Sequence, residues 1–463
     1  MMNNVMMSKQ AFFLIGLLFW TASGNAQAVN PEHNYARNSP GIVMVQAVFS
    51  ATVYVNKVDI NERIFDKLVD SVKKLDTSGR LLSPAQKLDI VVKVLYKSPL
   101  RFFSSTNEYF RQARRVQSNG TGFLITGDGY IVTNCHIIDR DSAYIRNKFI
   151  LETFQEVTQA NINALQASWA MTLSDEQRNL LSNTYGLIYS QVSSMILFDL
   201  QKEFYVLYRA DTGTNGTETI RKKATVVIKG KPMPGKDVAI LKAEEVDGLP
   251  TLVIANDSLI RIGAEALVIG YPEPVTSNSF LSAASGIEPT LTAGIVSAIK
   301  KSVNGWPVIQ MDAVISHGSS GSPVCNDKGE VVALATFGSL DQGNASLASG
   351  FNFAIPISVV REYIDSANIK PQASKATLAF NQGLGFFYQQ FYRKAKEKFE
   401  EVKQLNSNYP QLGFYLQQCK NKIAGGVDRQ PPPRKFVFWV MIGIAAMTAV
   451  YLVYKMRTQR NFG

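Results

Sequence analysis

Apolar positions change period several times along this chain, and each change predicts a different element. Residues 42–49 run Ile-Val-Met-Val-Gln-Ala-Val-Phe, rich in β-branched side chains, which predicts a strand. From about 57 to 117 the period becomes helical. Ile64, Leu68, Val72 and Leu75 share one helix face, and Ser83-Pro84 opens a second helix through Leu88, Val91, Val92 and Leu95. A helical insertion over 57–117 is therefore expected. Gly127-Asp128-Gly129 has turn chemistry, and the strand after it delivers Asn134-Cys135-His136. Phe149, Phe154, Val157, Ile162 and Leu165 then approximate one helical face. Ser174-Asp175-Glu176 starts another helix, with acidic residues where the helix dipole favours them. This second insertion, over 145–200, is expected to bury its apolar face within itself or as a lid, so that the strands fold without it, with burial against the strands as the alternative. Strand patterns resume at 203–208, 224–228, 238–241, 266–271 and 291–298 and stop at Pro356, with a closing helix over 359–366.

The two ends of the chain read differently. Residues 11–20 are continuously apolar but short for a bilayer span, and Ala26-Gln27-Ala28 offers small residues for cleavage, so 1–28 is expected to be a signal peptide. Over 373–423, Gly383, Phe386, Ala395 and Phe399 follow the spacing of a tetratricopeptide repeat, although its Trp and Pro positions are not met. A plain helical hairpin with an aromatic core is the alternative. So short a unit buries little area alone and is expected to lean on the rest of the chain or on a partner. Residues 424–435 contain Gly425-Gly426 and Pro431-Pro432-Pro433 and read as a linker. Residues 436–454 are long and apolar enough to span a membrane, with basic residues on both sides, and 455–463 would be a cytoplasmic tail.

Composition narrows the function classes. At 463 residues, with 46% hydrophobic residues, the chain can hold two or three domains with cores of their own. A formal charge of +11 raises the question of nucleic acid, but charged residues are only 18% and no basic cluster is interleaved with aromatics. A basic surface beside an anionic membrane fits better. Three cysteines are too few for a disulfide framework. Cys135 and Cys325 are expected as buried thiols, with a bridge between them as the alternative.

Candidate chemistry centres on Gly318-Ser319-Ser320-Gly321-Ser322-Pro323, a glycine loop between two apolar strands. Its glycines let backbone N–H groups converge beside the Ser320 hydroxyl. With His136 at a strand end and Asp237 at the mouth of the strand Val238-Ala239-Ile240-Leu241, the chain holds His, Asp and Ser in that order, the parts of a nucleophilic triad.

These stretches, with Gly350-Phe351-Asn352-Phe353-Ala354-Ile355-Pro356, resemble the trypsin-like serine proteases of the HtrA/Deg family. The resemblance implies a mainly β, chymotrypsin-like double β-barrel over 40–366, carrying the two helical insertions. It implies His136 as general base, Asp237 as its orienter, Ser320 as nucleophile, and the N–H groups of Gly318 and Ser320 as oxyanion hole. It also places Ile315, with Val314 and Phe337 nearby, at an apolar substrate pocket. Ser322 and Ser316-His317 depart from the family pattern and leave the loop geometry open. The helical unit stands where the family usually has a PDZ domain. The expected protein is thus a membrane-anchored extracytoplasmic serine endopeptidase without metal or cofactor. Its expected partners are peptide substrates, a protein at the repeat-like unit, the membrane and a second copy of the chain. The alternative is a tethered scaffold whose protease fold is latent or inactive.

Overall fold

The computed structural model describes residues 30–75, 81–140, 142–191, 195–212, 216–255, 260–276, 279–282, 287–340, 347–429 and 441–452, without the side chains of 337–350. Twelve described strands form two closed six-stranded barrels. The first contains β1 (Ile42–Ile60), β2 (Phe103–Leu124), β3 (Tyr130–Thr133), β4 (Met195–Asp211), β5 (Thr217–Lys229) and β6 (Ala239–Ala243), in the order β1-β2-β3-β6-β5-β4. The second contains β7 (Glu265–Gly270), β8 (Thr290–Lys301), β9 (Pro307–Met311), β10 (Pro323–Cys325), β11 (Val331–Leu340) and β12 (Leu347–Pro356), in the order β10-β11-β12-β9-β8-β7.

Alternation along β1 explains how the barrels meet. Val43 and Val45 point into the first barrel with Leu124, Ile131, Val206 and Leu241. Ile42 and Met44, on the other face, join Ile269, Trp306 and Ile355 of the second barrel in a shared core. The Ile357–Ser366 helix closes this core with Val359, Val360 and Ile364.

The insertions differ from expectation in composition and in packing. The segment 57–117 is not wholly helical. β1 runs 19 residues to Ile60 and β2 runs 22 residues from Phe103, paired from Ile42↔Phe123 to Ile60↔Phe103. The helices in between are confined to Glu62–Lys74, Pro84–Lys97 and Pro99–Phe102. The strands extend because Ala51, Val53 and Val55 keep period 2 beyond Phe49 and continue the buried face. Likewise β4 begins at Met195, inside the segment expected to be helical, after helices Ser142–Trp169 and Asp175–Gln191. Ser83 and Gln86 form a reciprocal cap, as do Ser174 and Gln177.

Nor does the second insertion bury its apolar face alone. Phe149, Val157 and Ile162 share one core with Phe49, Val53 and Val55 of β1 and with Val92 and Leu95 of the first insertion. Both insertions therefore cover one face of a tall β4-β1-β2 sheet that rises from the first barrel.

The C-terminal helices Lys375–Tyr388, Tyr392–Leu405 and Leu412–Ala424 enclose Phe380, Ala395, Phe399, Tyr409 and Cys419. A Cβ at Gly383 would strike the Phe399 ring, so only glycine lets the first two helices approach this closely. The unit leans on the first barrel. Gly413 N–H donates to Asp211 (2.7 Å), Asn406 Nδ2 to the Gly248 carbonyl (3.1 Å), and Thr251 N–H to Thr377 Oγ1 (2.9 Å). A helix not anticipated from sequence, Pro31–Asn38, lies against it, with the His33 and Tyr388 rings in tilted contact at 4.5 Å. The proposed signal peptide, residues 1–28, lies outside the described residues, as does most of the linker. Of 436–454, residues 441–452 are helical and exposed. Among the described residues no helix is long and apolar enough to cross a membrane.

Candidate active site

Strand pairing brings His136 and Asp237 together. β3 pairs with β6 from Tyr130↔Lys242 to Thr133↔Ala239, so the residues beyond Thr133 and before Ala239 emerge at the same barrel end. The single helical turn Cys135–Ile138 seats His136, anchored by buried Ile137 and Ile138. His136 Nδ1 lies 2.6 Å from Asp237 Oδ2, and His136 N–H donates to Asp237 Oδ1 at 2.8 Å. Thr336 Oγ1 donates to Asp237 Oδ2 at 2.8 Å. Asp237 is fully buried, and Asn134 Nδ2 donates to its carbonyl at 2.8 Å. Two fixed donors besides the ring hold this carboxylate, which in turn fixes the imidazole with Nδ1 engaged and Nε2 free for the cleft.

The serine loop hangs between the barrels. Gly318 and Gly321 both have φ of 87°, in the left-handed region that favours glycine. A Cβ at Gly318 would collide with the Tyr271 carbonyl, and one at Gly321 with the Thr121 carbonyl. Ser319 N–H closes the turn onto the Ser316 carbonyl (3.0 Å), and Glu273 N–H donates to the His317 carbonyl (2.6 Å). From the first barrel, Thr121 donates twice: Oγ1 to the Gly318 carbonyl and N–H to the Ser320 carbonyl, both at 2.8 Å. Among the described residues, the N–H groups of Gly318 and Ser320 have no internal acceptor. Ser320 Oγ donates to the Thr336 carbonyl at 2.7 Å and not to the imidazole.

His136, Asp237, Gly318, Ser320, Thr336 and Ile315 all border one cleft of about 770 Å³. Ile315 is buried at its wall. Val314, expected beside it, is 60% exposed and lies off the cleft, because successive side chains of an extended segment point to opposite sides. The Phe337 side chain lies outside the described residues. Ser322, in place of the family's second glycine, is fully buried, and among the described residues its Oγ has no hydrogen-bond partner. Cys135, Cys325 and Cys419 are buried free thiols, and burial pushes each up to about 12. Two contributors were not foreseen, Thr336 and Thr121. Nothing near either in the sequence distinguishes it from an ordinary strand threonine.

Residues 120–334 match the family model described as trypsin-like peptidase domain. That match spans somewhat under half of the chain. Its relatives are serine proteases. A probable periplasmic serine endoprotease DegP-like of Pseudomonas fulva is 28% identical over 269 residues, 57% of this chain and 38% of that protein. The namesake in Hahella chejuensis is 27% identical over 326 residues, 69% of this chain and 48% of that protein. Serine protease PepD of Mycobacterium tuberculosis is 30% identical over 159 residues, 31% of this chain and 32% of that protein. All three of these relatives are serine proteases by name, and two are DegP-like. The chain spans less than half the length of each of these relatives. Among solved structures, an HtrA-type protease AlgW with decapeptide superposes over 73% of this chain and 68% of that chain. Its TM-score of 0.36 and identity of 16% are too low to bear on the site.

Proposed function

We propose that this chain is a membrane-anchored extracytoplasmic serine endopeptidase that cleaves unfolded or partner-delivered protein. The carrying observation is the buried Asp237–His136 pair beside a loop that leaves two N–H groups unclaimed at Ser320. In this reading Ser320 Oγ leaves the Thr336 carbonyl and turns toward His136 Nε2. It attacks the peptide carbonyl carbon as His136 takes its proton. The developing oxyanion accepts from the Gly318 and Ser320 N–H groups, and His136 returns the proton to the leaving amine. Water then hydrolyses the acyl-enzyme by the same route. Buried Ile315 at the cleft wall supports a preference for aliphatic side chains at the cleaved position.

Residues 1–28 act as an export signal, and 436–454 anchor the chain with the protease on the periplasmic side. The apolar runs in the sequence and the periplasmic relatives support this topology. The Gly383–Phe399 packing supports the repeat-like reading of 373–423, with a protein partner as its ligand. The Ser320–Thr336 hydrogen bond favours a second reading, a scaffold whose protease rests in a latent state. Casein hydrolysis by the full chain tests the first reading. Cleavage lost in Ser320→Ala supports it, and cleavage at the parent's rate in that variant refutes it.

A further inference from the structure

The tall β4-β1-β2 sheet has two faces, and the insertions cover one of them. On the covered face Arg114 is fully engaged. Its Nη1 and Nη2 donate to Glu156 at 2.7 and 2.6 Å, and its Nε to Thr153 Oγ1 at 2.7 Å. The other face carries the opposite parity of the same strands. There Tyr54 pairs across to Arg111 on β2 and to Ile196 on β4, while Thr52 pairs to Phe198. Tyr54 and Phe198 meet edge to face at 5.1 Å, and the Arg111 guanidinium lies 5.4 Å from the Tyr54 ring centre. Phe198 remains 50% exposed and Tyr109 48%. Arg111 and Arg115 are exposed and meet no carboxylate among the described residues. Cations and aromatic rings are thus presented together, and among the described residues no carboxylate faces the cations.

Position gives this face its meaning. Residues 109, 111, 113, 115, 117 and 119 of β2 alternate onto one side, and Gln117 and Asn119 already border the active-site cleft. The open face is therefore continuous with the cleft. From Asn119 to Arg111 the strand spans about 26 Å, the reach of roughly eight residues of extended peptide.

We infer that this face is an accessory substrate site. It takes the flanking part of the same unfolded polypeptide whose scissile bond lies at Ser320, where that flank carries acidic and aromatic side chains. Carboxylates would pair with Arg111 and Arg115, and aromatic rings would pack on Tyr54 and Phe198. The inference rests on the peptidase reading, and its test keeps the two separable.

Two peptides serve as probes. One fills only the cleft. The other continues through a disordered flank of Asp, Glu and Tyr, with a counterpart bearing Asn and Gln in place of the acids. In the full-length enzyme, Arg111→Ser with Arg115→Ser is expected to raise KM for the long acidic peptide about tenfold. Turnover of the short peptide and KM for the Asn/Gln counterpart should change less than twofold. Phe198→Ser, with folding checked by thermal unfolding, should give a smaller KM rise shared by the acidic peptide and its Asn/Gln counterpart, which both carry Tyr, and leave the short peptide unchanged. The same peptides titrated onto Ser320→Ala protein read the site without catalysis, so an inactive enzyme would sink the peptidase reading and still leave this one measurable. Equal affinity of parent and arginine variants for the long acidic peptide would overturn the inference. So would a loss confined to binding of anionic phospholipid vesicles, or to self-association in sedimentation.

Discussion

The two halves of the candidate site are prepared differently. Asp237 and His136 are locked in advance, with the carboxylate buried and satisfied by the imidazole, the His136 N–H and the Thr336 hydroxyl. The Ser320 half is left open: its two loop N–H groups await an acceptor, and its hydroxyl rests on a backbone carbonyl. A base must hold one orientation through both proton transfers, whereas the oxyanion donors are useful only if nothing occupies them before the substrate. In the proposed mechanism the orienting work belongs to the first barrel and β11. The switching work falls to the one side chain that must move.

Removing the proposed nucleophile breaks this contrast most completely. Ser320→Ala is expected to lower kcat for peptide hydrolysis by roughly five to six orders of magnitude, checked by single-turnover assay with the fold verified by circular dichroism. Disturbing the locked half costs less. Asp237→Asn should lower kcat about 10⁴-fold with KM nearly constant, since it holds the wrong imidazole tautomer in unchanged geometry; a KM effect of the same size would make Asp237 a binding residue instead. Thr336→Val removes one of the donors on the buried carboxylate while keeping the backbone carbonyl that receives Ser320. Its expected kcat is about tenfold down, for a charge-assisted hydrogen bond of roughly 1.5 kcal/mol, and an unchanged kcat would remove Thr336 from the positioning set.

A structural test sharpens the same comparison, because the locked half depends on the first barrel. Replacing 142–191 by a Gly/Ser link exposes Phe49, Val53 and Val55, which share a core with Phe149 and Val157. At about 1.5–3 kcal/mol per uncovered large side chain, the variant should be insoluble or lose several kcal/mol. A soluble variant with the parent's melting temperature would make the insertion an appendage after all.

Much of the candidate site was legible in sequence because its parts carry local signatures: a histidine after Thr133-Asn134-Cys135, an aspartate before an apolar strand, and a serine between two glycines with positive φ. Double-barrel topology followed from the run of strand patterns and from the resemblance. What escaped was non-local. Thr336 touches Asp237 only because β11 places it there, and no neighbouring residue announces that contact. The upper halves of β1 and β2 escaped because the helical period at 62–97 was extended over 57–60 and 103–117, and because the alternation of Ala51, Val53 and Val55 beyond Phe49 was short. Helix Pro31–Asn38 escaped because its sequence is polar and its burial comes from distant partners, the helical unit around Ala36 and the 326–329 turn of the second barrel around Asn34 and Asn38. Val314 was misplaced by reading adjacency along the chain as adjacency in the cleft.

The most direct measurement is covalent labelling of the full chain by a fluorophosphonate, followed by peptide mapping. An activated serine attacks phosphorus and becomes phosphonylated, and an unactivated one does not. The account predicts a single label on Ser320, absent from Ser320→Ala and strongly slowed in Asp237→Asn. A parent protein that stays unlabelled while folded, or a label on any other residue, would contradict it.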